Sequence, residues 1–75
     1  MKTINIRLEY WSQIVIRLRE ILSRHQIRAI FSKIKKTVDA NSITLAFNSI
    51  GSYKNMSEED KAFFVILSNF GYQLS

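Results

Sequence analysis

Apolar residues near the start of the chain recur at two competing periods. Ile4, Leu8, Trp11, Val15, Leu18 and Leu22 are separated by alternating steps of four and three, which lines one face of a helix. Over the first ten residues, Ile4, Ile6, Leu8 and Tyr10 also alternate with Asn5, Arg7 and Glu9, the two-residue period of a half-buried strand. Both readings stay open up to Tyr10. From Trp11 onward the pattern predicts helix, with Ile14, Val15, Leu18, Ile21 and Leu22 on one broad stripe. The β-branched run Ile14–Ile16 weakens intrinsic helix propensity, so this helix depends on tertiary packing.

The stripe fails after Leu22, since its continuation would bury His25, Ser32 and Lys36. A new one begins with Ile27, Ile30, Phe31, Ile34 and Val38, which predicts a turn or kink within Ser23–Gln26 and a second helix capped by Ser23. Lys33, Lys35 and Lys36 would complement the negative pole of that helix. Asp39–Ser42 is a turn cluster. Ile43, Ala46, Phe47 and Ile50 then predict a short third helix stopped by Gly51, against a shorter strand alternation of Ile43, Leu45 and Phe47. After a loop from Gly51 to Met56, Ser57 and the acids Glu58, Glu59 and Asp60 form a helix start, with Asp60 in the place of the usual capping-box glutamate. That last helix runs to about Phe70, with Gly71 as its C′ residue and with Tyr72 and Leu74 able to fold back onto it. Its stretch Ala62–Leu67 is apolar on every face, so Phe63, Phe64, Ile66 and Leu67 are expected at the centre of the fold or against a second copy in a homodimer.

The chain has no proline, and its first glycine is Gly51, which favours helix over a many-stranded fold. The expected fold is therefore mostly α: a compact bundle of three to four short helices, with or without one short N-terminal β-strand. It forms one domain over residues 1–75, with a basic half (1–38) and a packing half (39–75). Met1–Val38 holds nine Lys/Arg and two acids, a balance of +7, whereas Asp39–Ser75 holds two lysines and four acids, a balance of −2. Such asymmetry points to a polyanion-facing half. Arg7, Glu9, Arg17 and Arg19 interrupt the N-terminal apolar residues and no uninterrupted apolar run approaches the length of a membrane span, so neither a signal peptide nor a span is expected, and the protein reads as soluble and cytoplasmic.

Catalysis is not expected. The chain has no cysteine, one histidine (His25), no metal-ligand spacing and no glycine-rich phosphate loop, so neither a metal nor a cofactor is implied. The stronger chemistry is basic. Arg24, Arg28 and Lys35 would share a face of the second helix, flanked by Lys33 and Lys36, and Arg17 would join them if the two helices were continuous. Such a stripe neutralises phosphates and releases counterions, without carrying sequence information.

The segment Ile4-Asn5-Ile6-Arg7-Leu8-Glu9-Tyr10, followed by helix, turn and helix, resembles the ribbon–helix–helix repressors over about the first half of the chain. The resemblance implies an N-terminal strand paired with its twin in a dimer, with Asn5 and Arg7 reading base edges in the major groove. The turn Ser23–Gln26 lacks the glycine usual there, and Asn41–Ser75 lies outside the resemblance. The function expected is non-catalytic, regulatory nucleic-acid binding, in which Arg17, Arg24, Arg28, Lys33, Lys35 and Lys36 contact phosphates. The alternative is a helical interaction module, such as a small inhibitor or immunity-type protein, that docks on the acidic surface of a larger partner.

Overall fold

In the computed structural model, which describes residues 2–47 and 55–73, the order is β1 (Lys2–Arg7), α1 (Leu8–Ile21), α2 (Arg24–Phe31), β2 (Ile34–Val38), β3 (Ser42–Phe47) and α3 (Glu58–Asn69). The three strands form one antiparallel sheet in the order β1-β3-β2. The fold is α+β, which corrects the expected helical bundle. Three parts of the chain make the difference. Residues 2–7 follow the two-residue period. The second helix stops at Phe31, and Ile34–Val38 is a strand. Ser42–Phe47 is a strand where a short helix was expected, and the expected stop at Gly51 lies outside the described residues.

The physical reason is pairing. Ile43, Leu45 and Phe47 alternate onto one face and are all buried. In the register they stand beside Ile6, Ile4 and Lys2 on β1, and beside Val38, Lys36 and Ile34 on β2. A helix over 43–50 would have left Ile4 and Ile6 without cross-strand partners and two further strands without hydrogen bonds. Asp39–Asn41 closes the β2–β3 hairpin, with the Asp39 N–H donating to the Ser42 carbonyl at 2.8 Å. The hairpin also serves α1. Arg7, in extended conformation, precedes the helix without a side-chain cap, and the Leu8 N–H donates instead to the Asn41 carbonyl at 3.0 Å.

One face of the sheet carries the core: Ile4, Ile6, Ile34, Ile43, Leu45 and Phe47, covered by Ile14 and Leu18 of α1, Ile30 of α2, and Phe63, Ile66 and Leu67 of α3. Rings join the elements. Phe63 lies edge-on to Trp11 and Phe31, with centroids at 6.5 and 6.4 Å, and Phe64 packs on Phe47 at 5.4 Å. The four residues expected to meet a second copy are thus used within the chain: Phe63, Ile66 and Leu67 are buried, and Phe64 is half-buried on β3. The sheet supplies the apolar surface that a bundle of this size would lack. Val65, on the far side of α3, is 48% exposed, and Val38 is 68% exposed where β2 runs past the helices.

The ends of α3 follow the expected chemistry. The Ser57 Oγ accepts from the Asp60 N–H at 3.3 Å. The Asp60 carboxylate turns away from the helix start to accept from Lys33 Nζ at 2.8 Å, which ties the α2–β2 junction to α3. At the other end, the Gly71 N–H donates to Ser68 and the Tyr72 N–H to Leu67, a Schellman closure in which Gly71 takes φ +89°. Tyr72 packs back against the core, while Leu74 lies outside the described residues.

Leu45→Ala, in the middle of the central strand, is expected to lower the unfolding free energy by about 3 kcal/mol. Val38→Ala, at the exposed end of β2, is expected to change it by under about 1 kcal/mol. Urea denaturation of the two variants checks this contrast.

Candidate nucleic-acid interface

The basic side chains divide into those the fold uses and those it leaves free. On β1, Asn5, Arg7 and Thr3 project from the sheet face opposite the core. There the Asn5 amide donates to Ser42 Oγ at 3.1 Å and to Thr44 Oγ1 at 2.9 Å. The Arg7 guanidinium pairs with Glu9 at 2.8 Å and lies 5.8 Å from the centroid of the Tyr10 ring. Its backbone N–H approaches the Tyr72 hydroxyl at 3.5 Å. On α1, Arg17 pairs with Glu20 at 3.3 Å. Lys33 is held by the buried carboxylate of Asp60. Four of the eight expected nucleic-acid contacts, Asn5, Arg7, Arg17 and Lys33, therefore have partners within the chain. The exposed pairs among them are weak, because solvent screens them and the side chains lose entropy in holding one geometry.

The other four are differently placed. Arg24, Arg28, Lys35 and Lys36 are exposed, and none has an acidic partner among the described residues. The continuous helical stripe expected for them does not form. Leu22 and Ser23 break the chain between α1 and α2, and Lys35 and Lys36 lie on β2. Because successive strand residues point to opposite faces, Lys35 joins the open face of the sheet and Lys36 the helix side. Lys36 Nζ sits 4.2 Å from the centroid of the Phe31 ring, at the C-terminal end of α2.

A local reason places α2 where it is. Ser23 and Gln26 form a full capping box: the Ser23 Oγ accepts from the Gln26 N–H at 3.2 Å, and Gln26 Oε1 accepts from the Ser23 N–H at 3.0 Å. The helix buries Ile30 and half-buries Ile27 and Phe31, which leaves Arg24, His25 and Arg28 on its outer side. Arg24 and Arg28 are one turn apart and neighbours on that side. The first turn of α2 contains no acid, so Arg24 stands near the positive pole of the helix, whereas Arg28 lies in the last turn, near the negative pole.

Sequence reasoning missed Arg19. It is exposed in the last turn of α1, and it lines an open depression together with Leu22, Arg24 and Ile27. Its signal was present: Arg19 falls off the apolar stripe just before the phase break. The cations Arg19, Arg24, Arg28 and Lys36 thus follow one another from the end of α1 along α2 to the start of β2.

No group of three or more His, Asp or Glu side chains among the described residues is placed to hold a metal ion. No helix among them is long and apolar enough to cross a membrane. The chain matches no family model, no curated protein and no solved structure.

Ser23→Ala removes one arm of the capping box and is expected to cost about 1 kcal/mol. It should also speed hydrogen exchange at the Gln26 amide more than at amides in the centre of α1, as read by NMR.

Proposed function

We propose that this chain is a small, non-catalytic nucleic-acid-binding protein that acts through α2 and the cations flanking it. The observation that carries the reading is the set Arg19, Arg24, Arg28 and Lys36, which are exposed and lack acidic partners among the described residues. Like charges gathered in this way repel one another and oppose folding. Their grouping is therefore not a stabilising device, and it matches what a phosphate backbone requires. Every other arginine or lysine of α1 and the α2–β2 junction is neutralised locally, by Glu20 or Asp60. A protein with one histidine and no cysteine that binds in this way acts by occupancy, which suits a regulatory role.

Binding to a mixed-sequence duplex, followed by fluorescence anisotropy across a salt series, tests the reading. Affinity should fall steeply with salt as counterions are released. The double variant Arg19→Ala/Lys36→Ala should weaken binding at least tenfold and reduce the slope of log K against log salt by about 2, at roughly 0.9 for each phosphate no longer neutralised. Arg17→Ala, whose wild-type guanidinium is paired with Glu20, should leave the slope unchanged. Absence of binding at low salt would overturn the reading in favour of an acidic protein surface as the partner.

A further inference from the structure

Resting on the nucleic-acid reading above, we infer that α2 is a groove-reading helix for B-form duplex DNA, with Arg24 and Arg28 contacting guanine edges and with Arg19 and Lys36 holding the backbone on either side. Among the described residues, the open face of the sheet and the outer side of α2 both present polar side chains and positive charge. They differ in what remains available. On the sheet face, the Asn5 amide donates to Ser42 and Thr44 and Arg7 is paired with Glu9 beside the Tyr10 ring, so of the cations there Lys35 on β2 has no acidic partner among the described residues. On α2, Arg24 and Arg28 have no acidic partner among the described residues. The reading side chains are therefore on the helix and not on the N-terminal strand.

The dimensions agree. Eight residues make a helix about 12 Å long and, with side chains, about 10–12 Å across, which the major groove of B-form DNA, about 12 Å wide, admits. The major groove of A-form RNA is too deep and narrow for this approach. Arg24 and Arg28 are separated by about 6 Å of helical rise, close to the roughly 6.8 Å of two base-pair steps. A guanidinium makes a bidentate contact with the O6 and N7 of guanine. The pair therefore suits a site with guanines two steps apart. Arg24 opens the helix, the end that recognition helices in such complexes present to base edges. The flanking cations complete the match: Arg19 shares the depression beside Arg24 at one end of α2, and Lys36 rests on Phe31 at the other. Positive charge thus brackets the reading helix, where the phosphates of the groove walls would run.

The test is selection from a randomised duplex DNA pool with the full chain, followed by anisotropy on the enriched site, on a scrambled duplex, and on double-stranded RNA of the enriched sequence. Three proteins are compared: wild type, Arg24→Lys/Arg28→Lys and Asn5→Ala/Arg7→Ala. The lysine pair keeps the charge but loses the bidentate fork. The expected result is an enriched site containing guanines that binds at least about tenfold more tightly than the scrambled duplex or the RNA. That preference should collapse in the lysine pair while its binding to the scrambled duplex persists, and it should survive Asn5→Ala/Arg7→Ala. Salt-sensitive binding with no enriched sequence, or equal binding to RNA, would overturn the groove-reading inference alone. So would a preference lost in Asn5→Ala/Arg7→Ala and kept in the lysine pair. Each of these results leaves the broader nucleic-acid reading in place, whereas no binding to any of the three nucleic acids overturns both.

Discussion

The rest of the structure depends on the two-sided pairing of Ser42–Phe47. This strand hydrogen-bonds to Lys2–Arg7 on one edge and to Ile34–Val38 on the other. The first pairing joins residues about forty positions apart, so its loop-closure entropy is recovered only when the whole sheet and the helices over it form together. Once formed, the sheet offers a row of Ile4, Ile6, Ile43, Leu45 and Phe47 that α1 and α3 must cover, and so decides where both helices lie. It also spends most of the apolar surface of α3 within the chain, with Val65 left facing outward.

Two joints then position α2. The capping box at Ser23 starts the helix immediately after α1, with no room for a flexible loop. The ion pair of Lys33 with Asp60, close to the Phe31–Phe63 contact, anchors its other end to α3. The Asp60 carboxylate is largely removed from water and tied to one ammonium at 2.8 Å, an arrangement costly to disturb from either side. Between these joints, α2 buries Ile30 and turns Arg24, His25 and Arg28 outward. The helix that carries Arg24 and Arg28 is thus fixed at both ends, which suits the proposed contact with a rigid polyanion.

The charge of the molecule is sorted by the fold. Glu9, Glu20, Glu58 and Asp60 each pair with a nearby base, and none of the bases so paired is on α2. What remains is a narrower distribution than the net +7 of the first 38 residues suggests. Apart from Lys2 on β1 and Lys35 on the open face of the sheet, it runs from the end of α1 along α2 to the start of β2, and that run is the part of the surface on which the proposed binding rests.

Local chemistry by itself determined the stripe of α1 at Ile14, Val15, Leu18 and Leu22 (though Ile21, expected on it, is exposed), the break after Leu22, the Ser23 and Ser57 caps and the stop at Gly71. Each of these depends on residues within one or two turns of one another. The strands at Ile34–Val38 and Ser42–Phe47 were not determined in this way. Their apolar residues satisfy both periods over so short a length, and the choice falls to partners supplied from residues 2–7. The same is true of the interface. Composition located the positive charge in the first half of the chain, but whether a given arginine was free depended on whether an acid lay beside it in space. Glu20 reaches Arg17 one helical turn away, a pairing that spacing could show. Asp60 reaches Lys33 across 27 residues, a contact that only the packing of α3 against the α2–β2 junction creates.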